Sequence, residues 1–188
     1  MELKIIKSKR RSMAIEIKDD GVYVRVPYWA TNSDINAFIT KNKKWIETHV
    51  AEHQSKKSLT DDVEPLTFEE IEALADKALK VIPERVKYYA PIVGVTYGRI
   101  TIRNQRSRWG SCSSKGNLNF NCLLMLAPEN VIDSVVVHEL CHRIEMNHSS
   151  RFYDEVLRVY PDYFECHKWL KENGPLLMAR MEKGTLSK

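Results

Sequence analysis

The segment His138-Glu139-Leu140-Cys141-His142, followed by His148, constrains this chain more than any other stretch. Histidines at i and i+4 stand one above the other on a helix face, so their ring nitrogens converge on one point. Glu139, beside the first of them, reaches a water at that point without joining the ligand set. His148 brings a third imidazole once the chain has turned back. Three protein ligands on tetrahedral zinc leave one position open, which separates catalytic from structural zinc sites. The spacing therefore predicts one Zn²⁺ per chain, with His138, His142 and His148 as ligands and Glu139 as general base and acid. The same segment demands a helix. Val131, Ile132, Val135, Val136 and Leu140 make that helix apolar almost all round, and hence buried. A buried helix holds two histidines and a glutamate only if something satisfies them. Core histidines bonded to backbone are the plain alternative.

The last ligand is open to competition. In the metzincin spacing HExxHxxGxxH, a glycine three residues after the second histidine breaks the helix. Glu145 stands there in this chain, so the helix is expected to run about one turn further, with Asn147 in a left-handed conformation at its end. Asp154, Glu155 and Glu165 compete with His148 as carboxylates on a following helix. His167 is expected to be structural. His49 and His53, on a Lys-rich segment, are expected to be exposed. Tyr153, Tyr160, Tyr163 and Arg108 are candidates to steady a developing oxyanion, with packing the plainer role for each tyrosine. Cys112 is expected to be a structural thiol, with ligation of the metal in a latent state as the alternative.

Patterning sets out the rest. Ala14-Ile15-Glu16-Ile17-Lys18 and Val22-Tyr23-Val24-Arg25-Val26 alternate around Asp19-Asp20-Gly21, a β-hairpin signal. Ser33-Asp34 starts a helix whose stripe is Ile35, Phe38, Ile39, Trp45 and Ile46. Residues 51–66 are polar and read as a linker. Thr67-x-x-Glu70 is a capping box for a helix over 67–81, with a break and restart at Pro83. Residues 96–103 and 117–123 alternate as strands, the second with asparagines on one face, and 105–116 lie between them as a Gly/Ser turn region. Pro128 opens the histidine-bearing helix. Ser149 or Ser150 caps the next, with Asp154 and Glu155 in its first turn. After Pro161 a last helix carries Phe164, Cys166 and Trp169 before Gly174.

Composition narrows the class. The 188 residues suit one domain, or one with a small appendage. No apolar run approaches a bilayer span. Met1-Glu2-Leu3-Lys4-Ile5-Ile6-Lys7 lacks the apolar core of a signal peptide, so a cytoplasmic protein is expected. Cys112, Cys122, Cys141 and Cys166 form no CxxC pair and are expected to be free. Residues 1–60 hold 12 Lys/Arg against 7 Asp/Glu, and the remainder 17 against 18. The basic excess, including Lys9, Arg10, Arg11, Lys43 and Lys44, reads as solvated surface, or as a dock for nucleic acid or an acidic peptide.

Arg108-Trp109-Gly110-Ser111-Cys112-Ser113, Asn117-Leu118-Asn119-Phe120-Asn121, and Val135-Val136-Val137-His138-Glu139-Leu140-Cys141-His142 with Asn147-His148-Ser149 and Phe152 resemble the YgjP-like metallohydrolases, relatives of the SprT-like and WLM zinc peptidases. The hairpin and Trp45-Ile46 fit the family's N-terminal part. The resemblance implies an α+β, zincin-like metallopeptidase fold, with the HExxH helix packed under a small mixed sheet and an N-terminal β-hairpin and helix added. It implies His138, His142 and His148 as ligands and Glu139 as the catalytic residue. Tyr153 departs from the tryptophan usual after the phenylalanine, which alters the pocket wall. The expected division is 1–56 for the hairpin and helix and 57–188 for the hydrolase domain, with one compact unit as the alternative.

The expected activity is that of a zinc-dependent metallopeptidase. In zincin folds an extended substrate adds to the edge of a strand beside the active-site helix, here 117–123 or 99–103. Arg103, Arg106 and Arg108 favour an acidic or carboxylate-terminated peptide, and Arg106, Arg108 and Tyr153 are the candidate substrate contacts. Two rivals remain. One is a phosphoanhydride hydrolase of nucleotides using the same metal, which no Gly-rich phosphate loop supports. The other is a nucleic-acid-associated module. No membrane association is expected, and a monomer is the default.

Overall fold

The computed structural model describes residues 2–61, 63–105 and 107–184. It divides into two compact units, Met1–Asp62 and Val63–Lys188. The division lies beyond the expected residue 56 because a helix carries through that point.

The first unit holds β1 (Leu3–Ser8), β2 (Ala14–Lys18), β3 (Gly21–Pro27), α1 (Asn32–Lys41) and α2 (Lys43–Asp61). The expected hairpin is β2–β3, paired antiparallel with Ile15 opposite Val24 and Ile17 opposite Val22. β1 adds a third strand, parallel to β3 on its other edge, from Leu3↔Val22 to Ser8↔Pro27. A parallel partner is joined by no tight turn, so no local signal announces it. Thr31 caps α1: its hydroxyl accepts from the Asp34 N–H, and the Asp34 carboxylate accepts from the Thr31 N–H. The expected single stripe is split at Asn42, whose amide donates to Phe38 O at 2.7 Å. α2 then runs through most of the segment expected to be a linker. That segment is polar, but it holds no glycine and its proline is delayed to position 65, while Ala, Glu, Gln and Lys favour helix. His49 and His53 are half-buried rather than exposed. His49 stacks on Trp45 with centroids 4.0 Å apart, and His53 stands 3.6 Å from Asp19. Val24, Val26, Ala30 and Ile35 form this unit's core.

The second unit holds α3 (Phe68–Val93), β4 (Ile100–Arg103), β5 (Gly110–Cys112), β6 (Leu118–Asn121), a 3₁₀ turn over Cys122–Leu126, α4 (Glu129–Cys141), α5 (Ser150–Val159) and α6 (Tyr163–Gly184). The capping box forms as expected: Thr67 N–H donates to Glu70 Oε2 at 2.8 Å and Glu70 N–H to Thr67 Oγ1 at 3.2 Å. The break expected at Pro83 is absent, and α3 is continuous through Pro83 and Pro91. An internal proline costs about 3 kcal/mol. Buried Ala78, Ile82, Val86, Ala90 and Val93 lie on both sides of Pro83, and each large aliphatic so buried contributes about 1.5–3 kcal/mol, so packing offsets the loss. Gly94, at φ 86°, closes the helix with its N–H on Ala90 O.

The sheet order is β4-β6-β5, with β4 parallel and β5 antiparallel to β6. The first unit's sheet repeats this first–third–second order. β5 lies inside the stretch expected to be only a turn, and the expected strand 96–103 shortens to β4. Fully buried Leu118 and Phe120 share one core with Val136, Val137 and Leu140 of α4. The histidine-bearing helix thus packs against a small mixed sheet in an α+β unit. Ser149 caps α5, with Asp154 and Glu155 falling beyond its first turn. α6 continues past Gly174 and Pro175. No helix among the described residues is long and apolar enough to cross a membrane.

Candidate active site

α4 ends at Cys141 and His142 is its C-cap, at φ −63° and ψ −11°. The extra turn expected from Glu145 does not form, and Asn147 does not take a left-handed conformation. Two anchors turn the chain out instead. The Glu145 carbonyl accepts from His142 Nδ1 at 3.1 Å, and the Arg143 guanidinium donates to Thr96 O and Ser114 O at 3.1 and 3.2 Å. This early exit returns His148 to the helix end.

The three imidazoles meet. His138 Nε2 lies 3.2 Å from His142 Nε2 and 3.1 Å from His148 Nε2. The three ligand atoms all fall within 4.8 Å of one another. Ligands about 2.0–2.1 Å from a tetrahedral zinc are themselves about 3.3 Å apart. Among the described residues this is the group able to hold a metal ion. Asp154, Glu155 and Glu165 do not join it, and Glu155 is paired with Arg158 at 2.8 Å. Cys112 is also outside it, its thiol donating to Ser113 O at 3.4 Å. All four cysteines are free.

Neighbouring groups fix the rings. A carbonyl only accepts, so His142 Nδ1 carries the proton given to Glu145 O, and its Nε2 is bare. His138 Nδ1 is 2.8 Å from the Tyr163 hydroxyl. The fully buried Phe152 ring stacks on His142 at 4.5 Å and meets His138 and His148 edge-on at 4.8 and 4.9 Å. Burial, helped by the neighbouring histidines, lowers the His138 imidazole to about 3, and burial lowers His142 as well. Both rings are therefore neutral at pH 7, the form that binds metals.

Glu139 is 5% exposed, and its Oε2 is buried without a hydrogen-bond partner. Burial pushes its carboxyl up to about 8. Gly110 makes room for it: a Cβ there would lie 2.5 Å from Glu139 Oε1 and 2.7 Å from Cγ. Two hollows flank the pair His138 and Glu139. One, of about 230 Å³, is walled by Trp109, Val135, Tyr163, His167 and Leu170. The other, of about 220 Å³, is walled by Ser111, Cys112, His142, Met146 and His148. Arg108 and Gly110 border both.

Of the other candidates, Arg108 is exposed at this junction, and Arg106 lies outside the described residues. Tyr153 is half-buried among Phe152, Tyr163 and Phe164, with ring centroids 5.3–6.3 Å away. Tyr160 turns away to donate to Asn130 O at 2.8 Å. His167, expected to be structural, is exposed at the rim of the first hollow. Asn121 was legible only as one of three alternating asparagines. It is fully buried, and its amide donates to Gln105 O and Arg108 O at 2.6 and 3.0 Å, tying down the loop that carries Arg108 and Trp109.

The model of the YgjP-like family, a metallopeptidase domain, matches residues 11–72 and 69–173. The chain belongs to the YgjP-like family. It is accordingly a metal-dependent hydrolase of the metallopeptidase kind. Two solved structures are similar to part of this YgjP-like chain. The metallopeptidase zymogen abylysin of Pyrococcus abyssi is 21% identical over 49% of this chain and 94% of its own, with a TM-score of 0.45. The metallopeptidase zymogen jannalysin of Methanocaldococcus jannaschii is 20% identical over 50% of this chain and 97% of its own, with a TM-score of 0.45. No curated protein sequence matches the chain.

Proposed function

We propose that this chain is a zinc-dependent peptidase, in which His138, His142 and His148 hold one zinc ion and Glu139 moves the protons. One observation carries the reading: three Nε2 atoms meet beside a buried carboxylate oxygen that has no partner. The donor set fits zinc, being three imidazoles, two of them held neutral by burial, with the His138–His142 and His138–His148 separations suited to a tetrahedral ion. When bound there, zinc acidifies a water to near neutrality and polarises the carbonyl under attack.

The protein groups do the rest. The Tyr163 hydroxyl oxygen accepts a hydrogen bond from His138 Nδ1–H, which keeps His138 Nε2 bare. Glu139 Oε2, ionised once the metal's charge is beside it, takes the two protons of the attacking water in turn and delivers both to the leaving nitrogen. The water oxygen joins the carbonyl carbon, the C–N bond breaks, and the products are a carboxylate and an ammonium. The substrate lies extended along β5. β6 occupies one edge of that strand, and no strand among the described residues pairs with the other edge, where a peptide would add. This replaces the rim strands expected from sequence, since β6 is central and β4 lies on its far side.

The test compares zinc-loaded wild type with Glu139→Gln on a peptide library and on nucleoside triphosphates. Peptide cleavage is expected from the wild type and is lost in a variant that retains stoichiometric zinc. Turnover of triphosphates alone would overturn the peptidase reading. Undiminished cleavage by the variant would remove Glu139 from the mechanism.

A further inference from the structure

The hollow between Trp109 and α6 plays no part in the proton transfers, yet it opens beside His138 and Glu139. Resting on the peptidase reading, we propose that this hollow receives the side chain of a substrate's C-terminal residue, that Arg108 receives that residue's carboxylate, and that the chain is a carboxypeptidase for apolar or aromatic C-terminal residues.

Shape supports the first part. Tyr163, His167, Leu170 and Gly174 recur on α6 at helical spacing and so share one face. A Cβ on Gly174 would lie 3.0 Å from Trp109 Cζ2, so the absence of that atom lets the indole rest against α6 and the two form one wall. Trp109, Val135 and Leu170 are the apolar lining. An apolar cavity of about 150 Å³ holds a benzene ring. At about 230 Å³ this hollow takes one large side chain, not two.

Charge supports the second. Among the residues lining the two hollows, Glu139 is the one carboxylate, and it is committed to proton transfer. Arg108 and His167 stand exposed at the rim. No ion pair among the described residues occupies Arg108, and its backbone is held by buried Asn121. A guanidinium binds a carboxylate through paired hydrogen bonds. A site for a substrate's N-terminal ammonium would need a further carboxylate at this rim, and none besides Glu139 lines it among the described residues.

The sheet edge supports the third. β5 is three residues long and begins at Gly110, where the two hollows meet. A substrate finds ladder partners along Ser111 and Cys112, beside the second hollow. Toward the first hollow the strand has ended. An extended substrate is therefore held on one side of the scissile bond, with room for one residue on the other.

Zinc-loaded protein is given peptides ending in free Phe or Leu and the same peptides amidated, and products are identified by mass. Release of the single C-terminal residue is expected, with kcat/KM at least about tenfold higher for the acids, the size of one charge-assisted hydrogen bond. Arg108→Gln erases the preference for acids over amides. Leu170→Phe, which fills the hollow from a half-buried position, moves the preference toward C-terminal Ala. Calorimetry on metal-free protein gives a readout independent of zinc. N-acetylphenylalanine should bind about tenfold tighter than its amide, and Arg108→Gln should remove the difference. Internal cleavage at equal rates on acids and amides, or equal calorimetric affinities, overturns this proposal and leaves the peptidase reading standing. Failure to hydrolyse any peptide overturns that reading, and this one falls with it.

Discussion

Gly110 of β5 lies so close to Glu139 of α4 that a methyl group on it would sit 2.5 Å from the carboxylate Oε1. Such a separation is far inside van der Waals contact, so strand and carboxylate share space that only glycine vacates. Gly110→Ala is expected to push Glu139 off its position while leaving the three imidazoles in place. Misplacing a reacting group by about 1 Å costs on the order of 100-fold in rate. Peptide kcat/KM should fall by about that factor, with zinc content unchanged. Equal activity in the variant would show that Glu139 tolerates displacement.

Gly110 and Glu139 are 29 residues apart in sequence, and nothing near either one announces their contact. HExxH spacing states its own geometry because a helix fixes the i, i+4 relation, and His148 was reachable because ten residues leave few routes back. The Thr67–Glu70 capping box and the β2–β3 hairpin were legible for the same reason: each is decided within a few residues. What failed was decided elsewhere. Pro83 does not break α3 because the residues around it are buried by other elements. β1 pairs with a parallel strand to which no turn joins it, and β5, although a turn over Ser113–Asn117 joins it to β6, is only three residues long and shows no alternation. Tyr163 reaches His138 from 25 residues downstream, on another helix, so nothing in its neighbourhood announces the contact.

Tyr163→Phe removes the hydroxyl facing His138 Nδ1 at 2.8 Å and keeps the ring that packs beside it. His138 then loses the partner that fixes its tautomer. Losses of this kind cost about 10–100-fold in metal affinity. Competition with a chelator of known affinity should show zinc binding weakened by that range and thermal stability of the metal-free protein nearly unchanged. Unaltered zinc affinity would mean that the contact is packing alone.

Asn121 is fully buried, with hydrogen bonds to Gln105 O, Arg108 O and the Leu123 N–H. Asn121→Ala leaves these backbone groups without that partner, the Leu123 N–H among them in the core, at about 1–3 kcal/mol for each that water cannot reach. Denaturant unfolding should show a loss of at least about 2 kcal/mol. The loop bearing Arg108 and Trp109 should become more readily cut by protease in the native state. A neutral substitution would mean that the loop holds itself.

The metal-free protein should have a stability maximum near pH 6.5, set by the site itself. His138 is lowered to about 3 from 6.5, so between those values the unfolded chain takes up a proton that the folded chain refuses. Stability is lost as pH falls through that window. His142, shifted the same way, adds to this acid arm. Glu139 runs opposite. Burial raises it to about 8 from 4.5, so the folded chain keeps a proton that the unfolded chain has released, and stability is lost as pH rises toward 8. From 4.5 to 6.5 the Glu139 and His138 slopes cancel, one proton each way, and His142 tilts the balance upward. Above 6.5 only the Glu139 loss remains. Melting temperature measured in chelator from pH 4 to 9 should rise to about 6.5 and then decline. Glu139→Gln, which cannot titrate, should remove the decline and keep the acid arm. A wild-type curve that climbs through pH 8, or a variant that declines as steeply, would mean that Glu139 is ionised in the metal-free fold.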